Sequence, residues 1–261
     1  EGGSKAVCLV NTPNVSPENR YQESRKAIHA SVDAILDLTV EESTKRMKDF
    51  YGKQEVIFLG PDEQVVPTDC DWICHRAGQR GYPMPMAFMS SKVGAGINHK
   101  EFGVTSEGVA VYLESALNNV LGINPRTTPF TIKITGGPDG DVGGNLLKIL
   151  HREFPNTAKV VGIADGMGVA EDADGLDLEE LVRLFNASLP ITHFNKDKLS
   201  KDGLVMKADD DEGIARRNTM VFRIKADAFV PAGGRPATIN AKNWKQFLLA
   251  DGKTPSSPLM V

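Results

Sequence analysis

Long apolar runs are missing from this 261-residue chain. No stretch approaches the roughly 18 apolar residues of a membrane-spanning helix, so the sequence predicts none. A strong charge of either sign is missing too. Thirty basic against 34 acidic residues leave a formal net charge of −4. That gives no electrostatic case for nucleic acid or for an acidic membrane surface. Cysteine is scarce. Cys8, Cys70 and Cys74 are an odd number in a long chain, which argues against a disulfide framework and fits a reducing compartment. The run CDWICH, Cys70 to His75, has one residue too many for a C-x-x-C-H haem attachment. No second ligand pair follows it to complete a metal site. The opening EGGSKAV is not a signal peptide.

What is present is ordinary in amount. Hydrophobic residues make up 41% and charged residues 25%, as in a soluble globular protein of one large or two small domains. The informative stretch is Phe130 to Asp165, FTIKITGGPDGDVGGNLLKILHREFPNTAKVVGIAD. Phe130 to Thr135 reads as a buried strand. A turn follows with Gly136, Gly137, Gly140, Gly143 and Gly144. Leu146, Leu147, Ile149, Leu150 and Phe154 then recur at helical spacing. Val160 to Ala164 reads as a second buried strand, and Asp165 ends it. Strand, glycine turn, helix, strand and terminal acid is the order of a dinucleotide-binding unit. Glycines let the backbone approach a pyrophosphate, and the helix N-terminus offers it N–H groups and a positive dipole end. Asp165 lies about 20 residues past the turn, where an acid accepts ribose hydroxyls and repels a 2′-phosphate, favouring NAD over NADP. The spacing departs from G-x-G-x-x-G, because Pro138 and Asp139 both stand between Gly137 and Gly140. Asp139 and Asp141 are awkward beside phosphate. A glycine turn that binds nothing stays open at this point.

The rest of the chain suits an α/β protein. Val7 to Val10 reads as a strand after Gly2, Gly3 and Lys5. Lys5 is either a surface lysine at a frayed terminus or a lysine whose charge is shed on desolvation. A helix is predicted from Ser16 or Pro17 to about Leu38, with Asp33 and Asp37 on a solvated or end-capping face. Val56 to Leu59 reads as a buried strand. Asp62 and Glu63 sit at its carboxyl end, where open sheets place ligands. Asp62 is a candidate proton shuttle or a helix N-cap. Asp69 to Gln79 reads as a helix. Met84, Met86 and Met89 follow as packing residues. A helix beginning near Thr105 has Thr105 and Ser106 as N-caps, and MGVAEDADGLDLEELVRLF supplies a turn and then a helix from about Asp177. Residues 195 to 220 read as a polar surface excursion. A strand, a Pro-Ala-Gly-Gly loop and a helix from about Asn240 follow, and Pro258 to Val261 starts a strand. The chain opens and closes inside structural units, as a piece of a longer protein would.

Several stretches together resemble the glutamate dehydrogenase family, and within it the large NAD-specific type. EGGSKAV resembles the segment carrying that family's catalytic lysine, which falls on Lys5. FLGPDE resembles the segment carrying the catalytic aspartate, which falls on Asp62. HKEFGVTSEGV resembles the threonine-glycine segment that opens the cofactor domain. TGGPDGDVGGN resembles the large enzymes' longer glycine turn, and VVGIADGMGVAEDADGLDLEEL and FVPAGGRPATIN continue the match. Arg235 and Pro236 depart from what the smaller enzymes place after that last loop.

The resemblance implies a Rossmann-like NAD-binding domain over residues 91–261, incomplete at its C-terminus. It would be preceded by the rear part of an α/β substrate domain over residues 1–90. It implies NAD-dependent, reversible deamination of L-glutamate to 2-oxoglutarate and ammonium in a closed, dry cleft between the domains. Lys5 would polarise the attacking water and Asp62 would move protons. Thr105 would meet the nicotinamide amide. Gly137, Gly140, Asp141, Val142 and Gly143 would cradle pyrophosphate. Asp165 would hold the adenosine ribose, and Gly233 would line the nicotinamide ribose. It also implies a homo-oligomeric full-length enzyme of the cytoplasm or mitochondrial matrix; charge and cysteine spacing add the expectation of no nucleic-acid or membrane partner and no metal. Two other readings remain: a dehydrogenase for leucine, valine or phenylalanine, and a non-catalytic dinucleotide-binding or assembly domain.

Overall fold

The computed structural model describes residues 6–11, 15, 17–41, 52–62, 65–92, 94, 96–97, 99–233 and 238–261. The chain divides into two compact units, Glu1–Phe102 and Gly103–Val261. The division falls at Gly103, whereas the sequence reading sets it near residue 90.

The first unit is built on α1 (Pro17–Thr39) and α2 (Pro67–Gln79), followed by the short α3 (His99–Phe102). Val32, Leu36 and Val40 of the α1 segment share a core with Cys70, Ile73, Cys74 and Ala77 of α2, together with Tyr82, Phe88 and Met89. Asp33 and Asp37 are not merely solvated. They pair with Arg76 (2.7 Å) and Arg80 (2.6 Å), at and just beyond the end of α2, and so fix how the two helices lie. The hydrogen bond from Arg76 is the main reason the Asp33 carboxyl is held below its ordinary range. Cys70 and Cys74 are buried free thiols, and burial pushes both thiols up. A buried neutral thiol packs as a small hydrophobe.

Three expectations for this unit need correction. Residues 7–10 form no strand, and Val7 and Leu9 are exposed. A β-branched run has strand propensity but still needs a neighbour to pair with. Val56 to Leu59 is not a doubly buried strand. Ile57 and Leu59 turn inward, Val56 and Phe58 outward, and pairing is a single bridge from Leu59 to Met89. Of the three methionines, Met89 is buried while Met84 and Met86 are exposed.

The second unit begins with α4 (Val104–Leu121). Then come β1 (Phe130–Thr135), α5 (Asp141–Glu153), β2 (Ala158–Ala164), β3 (Gly168–Leu176) and α6 (Leu178–Asn186). β4 (Leu204–Lys207), α7 (Asp211–Arg223), β5 (Ala228–Pro231) and β6 (Leu259–Met260) complete it. The six strands form one sheet in the order β4-β3-β2-β1-β5-β6. β1 is parallel to both β2 and β5, and β6 is parallel to β5, while β3 is antiparallel to both its neighbours. β3 therefore runs against the other five. Ile132, Ile134, Leu146, Leu147, Leu150, Val160 and Ile163 form the core between sheet and helices, with Leu113 and Leu117 of α4 and Leu181 and Leu184 of α6. The apolar strands are covered on both faces, as parallel strands require.

β3 and α7 correct the sequence reading. GVAEDADGL carries acids and glycines and reads as a turn, and residues 195–220 read as a surface excursion. Both hold regular structure, because they satisfy each other. Glu171 is buried in β3 between the guanidiniums of Arg216 and Arg223 from α7. Burial alone would raise the Glu171 carboxyl, but the hydrogen bonds from Arg223 and Arg216 outweigh it and hold the group below its ordinary range. Asp172 accepts from the Ser200 N–H and hydroxyl, both at 2.7 Å. Asp210, within the acidic stretch Asp209 to Glu212, caps α7 by accepting from the Gly213 N–H at 2.7 Å. The helix expected from Asn240 is instead a set of turns with a 3-10 segment at Trp244–Phe247.

Lys133, in the middle of β1, is fully buried. Its side-chain nitrogen lies 2.6 Å from the Val221 carbonyl, 2.7 Å from the Ile224 carbonyl and 2.7 Å from the Ser256 hydroxyl, over the Phe247 ring. It ties β1 to the end of α7 and to the segment before β6. No described helix is long and apolar enough to cross a membrane.

Candidate functional site

β1 is followed by β2 on one side, and β5 returns on the other. The sheet therefore changes direction of winding between β1 and β5, and ligands of open α/β sheets bind outside the carboxyl ends of the strands at such a point. Gly136 and Gly233 stand there. Gly136 has φ +113, which side chains rarely adopt, and a Cβ on it would lie 2.6 Å from the Ala232 carbonyl oxygen. A Cβ on Gly233 would lie 2.6 Å from the Gly136 Cα.

The turn that follows is compact. Gly140 N–H donates to the Gly137 carbonyl at 3.1 Å, so Gly137-Pro138-Asp139-Gly140 is a hydrogen-bonded β-turn with proline in its preferred place. This turn absorbs the additional residue between Gly137 and Gly140. Gly140 is the N-cap of α5 and provides no side-chain acceptor. A helix start carries unsatisfied N–H groups and a positive dipole end. Gly143 lets the helix sit on the turn, since a Cβ there would lie 2.9 Å from the Gly137 carbonyl oxygen. Gly144 serves packing, because its Cβ would overlap the Pro138 carbonyl and the Phe185 ring of α6. Asp141, the first residue of α5, is turned along the helix toward the Asn145 amide (3.4 Å).

α4 is joined to this helix start. Ser106 donates to the Val142 carbonyl at 2.9 Å. The N-cap of α4 is Gly103, at φ +63, and not Thr105 or Ser106. A Cβ on Gly103 would lie 2.9 Å from Asn145, so glycine is required by both conformation and space. Gly103 and Asn145 lie inside the segments HKEFGVTSEGV and TGGPDGDVGGN, but neither has an expected role there. Thr105 is exposed in the first turn of α4, one residue from the Ser106 contact.

Asp165 stands at the end of β2 as expected, but its carboxylate is already engaged. Oδ1 accepts from the N–H groups of Met167 (2.8 Å) and Gly168 (2.9 Å), closing the turn that sends β3 back against β2. Oδ2 accepts from the Ile191 N–H at 2.7 Å. A Cβ on Gly137 would overlap Asp139 Oδ1 and lie 2.8 Å from Asp165 Oδ2. Two carboxylates thus converge over Gly137. Burial, and then the charge of Asp165, push the Asp139 carboxyl up.

In the first unit, Asp62 is exposed, and its backbone carbonyl accepts from the Val65 N–H at 3.2 Å. It does not cap α2. Val66 does, with Asp69 accepting from the Val66 N–H at 3.0 Å. Lys5, Glu63, Arg235 and Pro236 lie outside the described residues. Among the described residues, no group of three or more His, Cys, Asp or Glu could hold a metal ion.

The residues present fit a dinucleotide. The turn is shaped where Cβ atoms at Gly136, Gly137, Gly143 and Gly233 would collide, and the α5 start has no side-chain cap. The Thr135 hydroxyl, buried at the end of β1, has no partner among the described residues.

Fold and turn together define a Rossmann-type α/β unit. Solved structures agree on that fold. The chain is similar to the hetero-hexameric glutamate dehydrogenase of Thermus thermophilus, at 19% identity and a TM-score of 0.57 over 91% of this chain and 46% of that one. It is similar to glutamate dehydrogenase 2 of Plasmodium falciparum, at 15% identity and a TM-score of 0.56 over 90% and 44%. Residues 95–253 match the Glutamate/Leucine/Phenylalanine/Valine dehydrogenase family, and the chain belongs to it. Among curated relatives, it is 33% identical over 266 aligned positions to the probable NAD-specific glutamate dehydrogenase of Schizosaccharomyces pombe. It is 34% identical over 273 positions to the NAD-specific glutamate dehydrogenase of Neurospora crassa. Each alignment covers 97% of this chain, which spans only 23% and 24% of those proteins.

Proposed function

We propose that this chain carries the cofactor half, and part of the catalytic half, of an NAD-dependent glutamate dehydrogenase. The observation that supports this most is the glycine turn and glycine-capped α5 at the switch point of the sheet, in a chain of this family. The names of the relatives favour glutamate and NAD over the family's other substrates.

Gly137, Gly140, Asp141, Val142 and Gly143 would hold the pyrophosphate at the start of α5. Asp165 would accept from the adenosine ribose. Gly233, packed on Gly136, would leave room for the nicotinamide ribose, and Thr105 would meet the carboxamide. The cofactor supplies a hydride acceptor when bound. The net reaction is L-glutamate, NAD⁺ and water going to 2-oxoglutarate, ammonium, NADH and a proton. Lys5 would polarise the water that attacks the substrate iminium, a role that desolvation favours by lowering the cost of shedding its charge. Asp62 would carry protons to and from the amine nitrogen. The first unit would then be part of the substrate domain. A homo-oligomer of the intact protein is part of the proposal; the Thermus enzyme, named as a hetero-hexamer, supports assembly but not identity of the subunits.

The test is turnover of glutamate and leucine by the intact protein and by its Lys5→Ala and Asp62→Asn variants. We expect glutamate to be preferred, and each substitution to lower kcat/KM by about 100-fold or more. Preference for leucine would move the chain to a sibling activity. Full glutamate oxidation in both variants would remove Lys5 and Asp62 from the catalytic roles.

A further inference from the structure

We propose that Asp139 is a second determinant of cofactor selectivity, sharing the adenosine ribose diol with Asp165 and repelling a 2′-phosphate. This rests on the dinucleotide reading of the glycine turn and goes beyond it, because selectivity is otherwise assigned to the acid at the end of β2 alone.

Acceptor capacity at Asp165 is limiting. A vicinal diol presents two O–H donors. An ionised carboxylate offers about four acceptor positions. Asp165 has committed three of them: two on Oδ1 to Met167 and Gly168, and one on Oδ2 to Ile191. One position on Oδ2 remains. A diol held by Asp165 alone would leave one hydroxyl without its carboxylate partner, or would have to break the turn that reverses β3. Asp139 Oδ1 and that Oδ2 of Asp165 both crowd the place that a Cβ on Gly137 would take, the latter at 2.8 Å from it.

Its position comes from the lengthened turn. Pro138 fixes the second residue of the β-turn and Asp139 occupies the third, with Gly140 bonded back to Gly137. The residue that breaks the usual glycine spacing is therefore the one that brings a second acid to the end of β2. Asp139 as a residue keeps exposed surface on which a ligand can reach it, although its carboxyl is partly desolvated on the Gly137 side, whereas the Asp165 carboxylate is part of the local fold. Two carboxylates at one point oppose a 2′-phosphate more strongly than one. A cation is also near. Arg217 donates to the Gly166 carbonyl at 2.8 Å, one residue beyond Asp165. Removing one acid would shift the local balance toward that guanidinium.

The test is titration of NADH and NADPH, by nucleotide fluorescence, into the intact protein and its Asp139→Asn and Asp165→Asn variants, with thermal unfolding as a folding check. Asp139→Asn should keep its melting temperature, weaken NADH several-fold and strengthen NADPH, so that the ratio of the two affinities falls by at least about tenfold. Higher salt should narrow the NADH preference more in the native protein than in this variant. Asp165→Asn should also lower the melting temperature, because its oxygens hold the backbone. An unchanged affinity ratio in a folded Asp139→Asn that binds NADH would overturn this proposal and leave the cofactor site standing. Binding of neither nucleotide by the native protein would remove the dinucleotide reading, and this proposal with it.

Discussion

Gly233 and Gly136 meet backbone to backbone, since a Cβ on Gly233 would lie 2.6 Å from the Gly136 Cα. The carboxyl ends of β5 and β1 can close on each other only because neither residue has a side chain. That contact sets the floor of the switch-point crevice, beside the turn that leads into α5.

Gly136→Ala should therefore cost more than a substitution that offends conformation alone. Gly122, at the end of α4, has φ +67, and a Cβ on it would meet nothing within 4 Å. Gly122→Ala should lose about 1–2 kcal/mol through backbone strain. Gly136→Ala meets the Ala232 carbonyl as well, and overpacking adds about 1–3 kcal/mol. Chemical denaturation compares the two. Equal losses would mean that the β1 and β5 ends are not in contact.

Lys133 gives the second unit a pH dependence. Burial lowers its pKa from 10.5 to about 7. As a neutral amine it still has N–H groups to donate to the Val221 and Ile224 carbonyls. The unfolded chain binds more protons than the folded one between pH 7 and 10.5, so stability should rise with pH across that window. Below the window both states carry the proton and the slope vanishes. Lys133→Met should remove the slope, as read by denaturation at a series of pH values. A slope that survives the substitution would assign it to another group.

Glu171 makes a separate prediction at acid pH. Its carboxyl is held below the ordinary 4.5 by Arg223 and Arg216. Its stabilisation is thus fully present above pH 4.5 and is lost as pH falls through the lower folded value. Glu171→Gln should cost about 2–4 kcal/mol at neutral pH, because it leaves two guanidiniums without their carboxylate, each about a third exposed. Urea denaturation measures the loss. A variant as stable as the native protein would show that β3 and α7 are held by packing alone.

These residues also show what can be read from sequence. β1, α5 and β2 were legible because each carries its own period and its own punctuation. Phe130 to Thr135 is apolar and β-branched, the glycines mark the turn, and Leu146 to Leu150 repeat at helical spacing. The start of α6, expected at about Asp177, was legible too, and the structure makes Asp177 its N-cap, accepting from the Glu180 N–H. β3 and α7 were not legible. Glu171 finds its partners 45 and 52 residues later in the chain, and before that pairing is known a strand with buried acids looks like a turn. The same holds at the candidate site. The glycine turn announces itself, while Gly103 and Asn145 gain meaning only once α4 is packed on α5. Val7 to Val10 shows the converse, a run with strand propensity and exposed side chains.

If the glycine turn between β1 and α5 holds a dinucleotide, NADH titration into the native protein shows it most directly. Saturable binding of NADH, with NADPH weaker by at least about tenfold, is the predicted result. A folded protein that binds neither, or that binds NADPH as well as NADH, would contradict it.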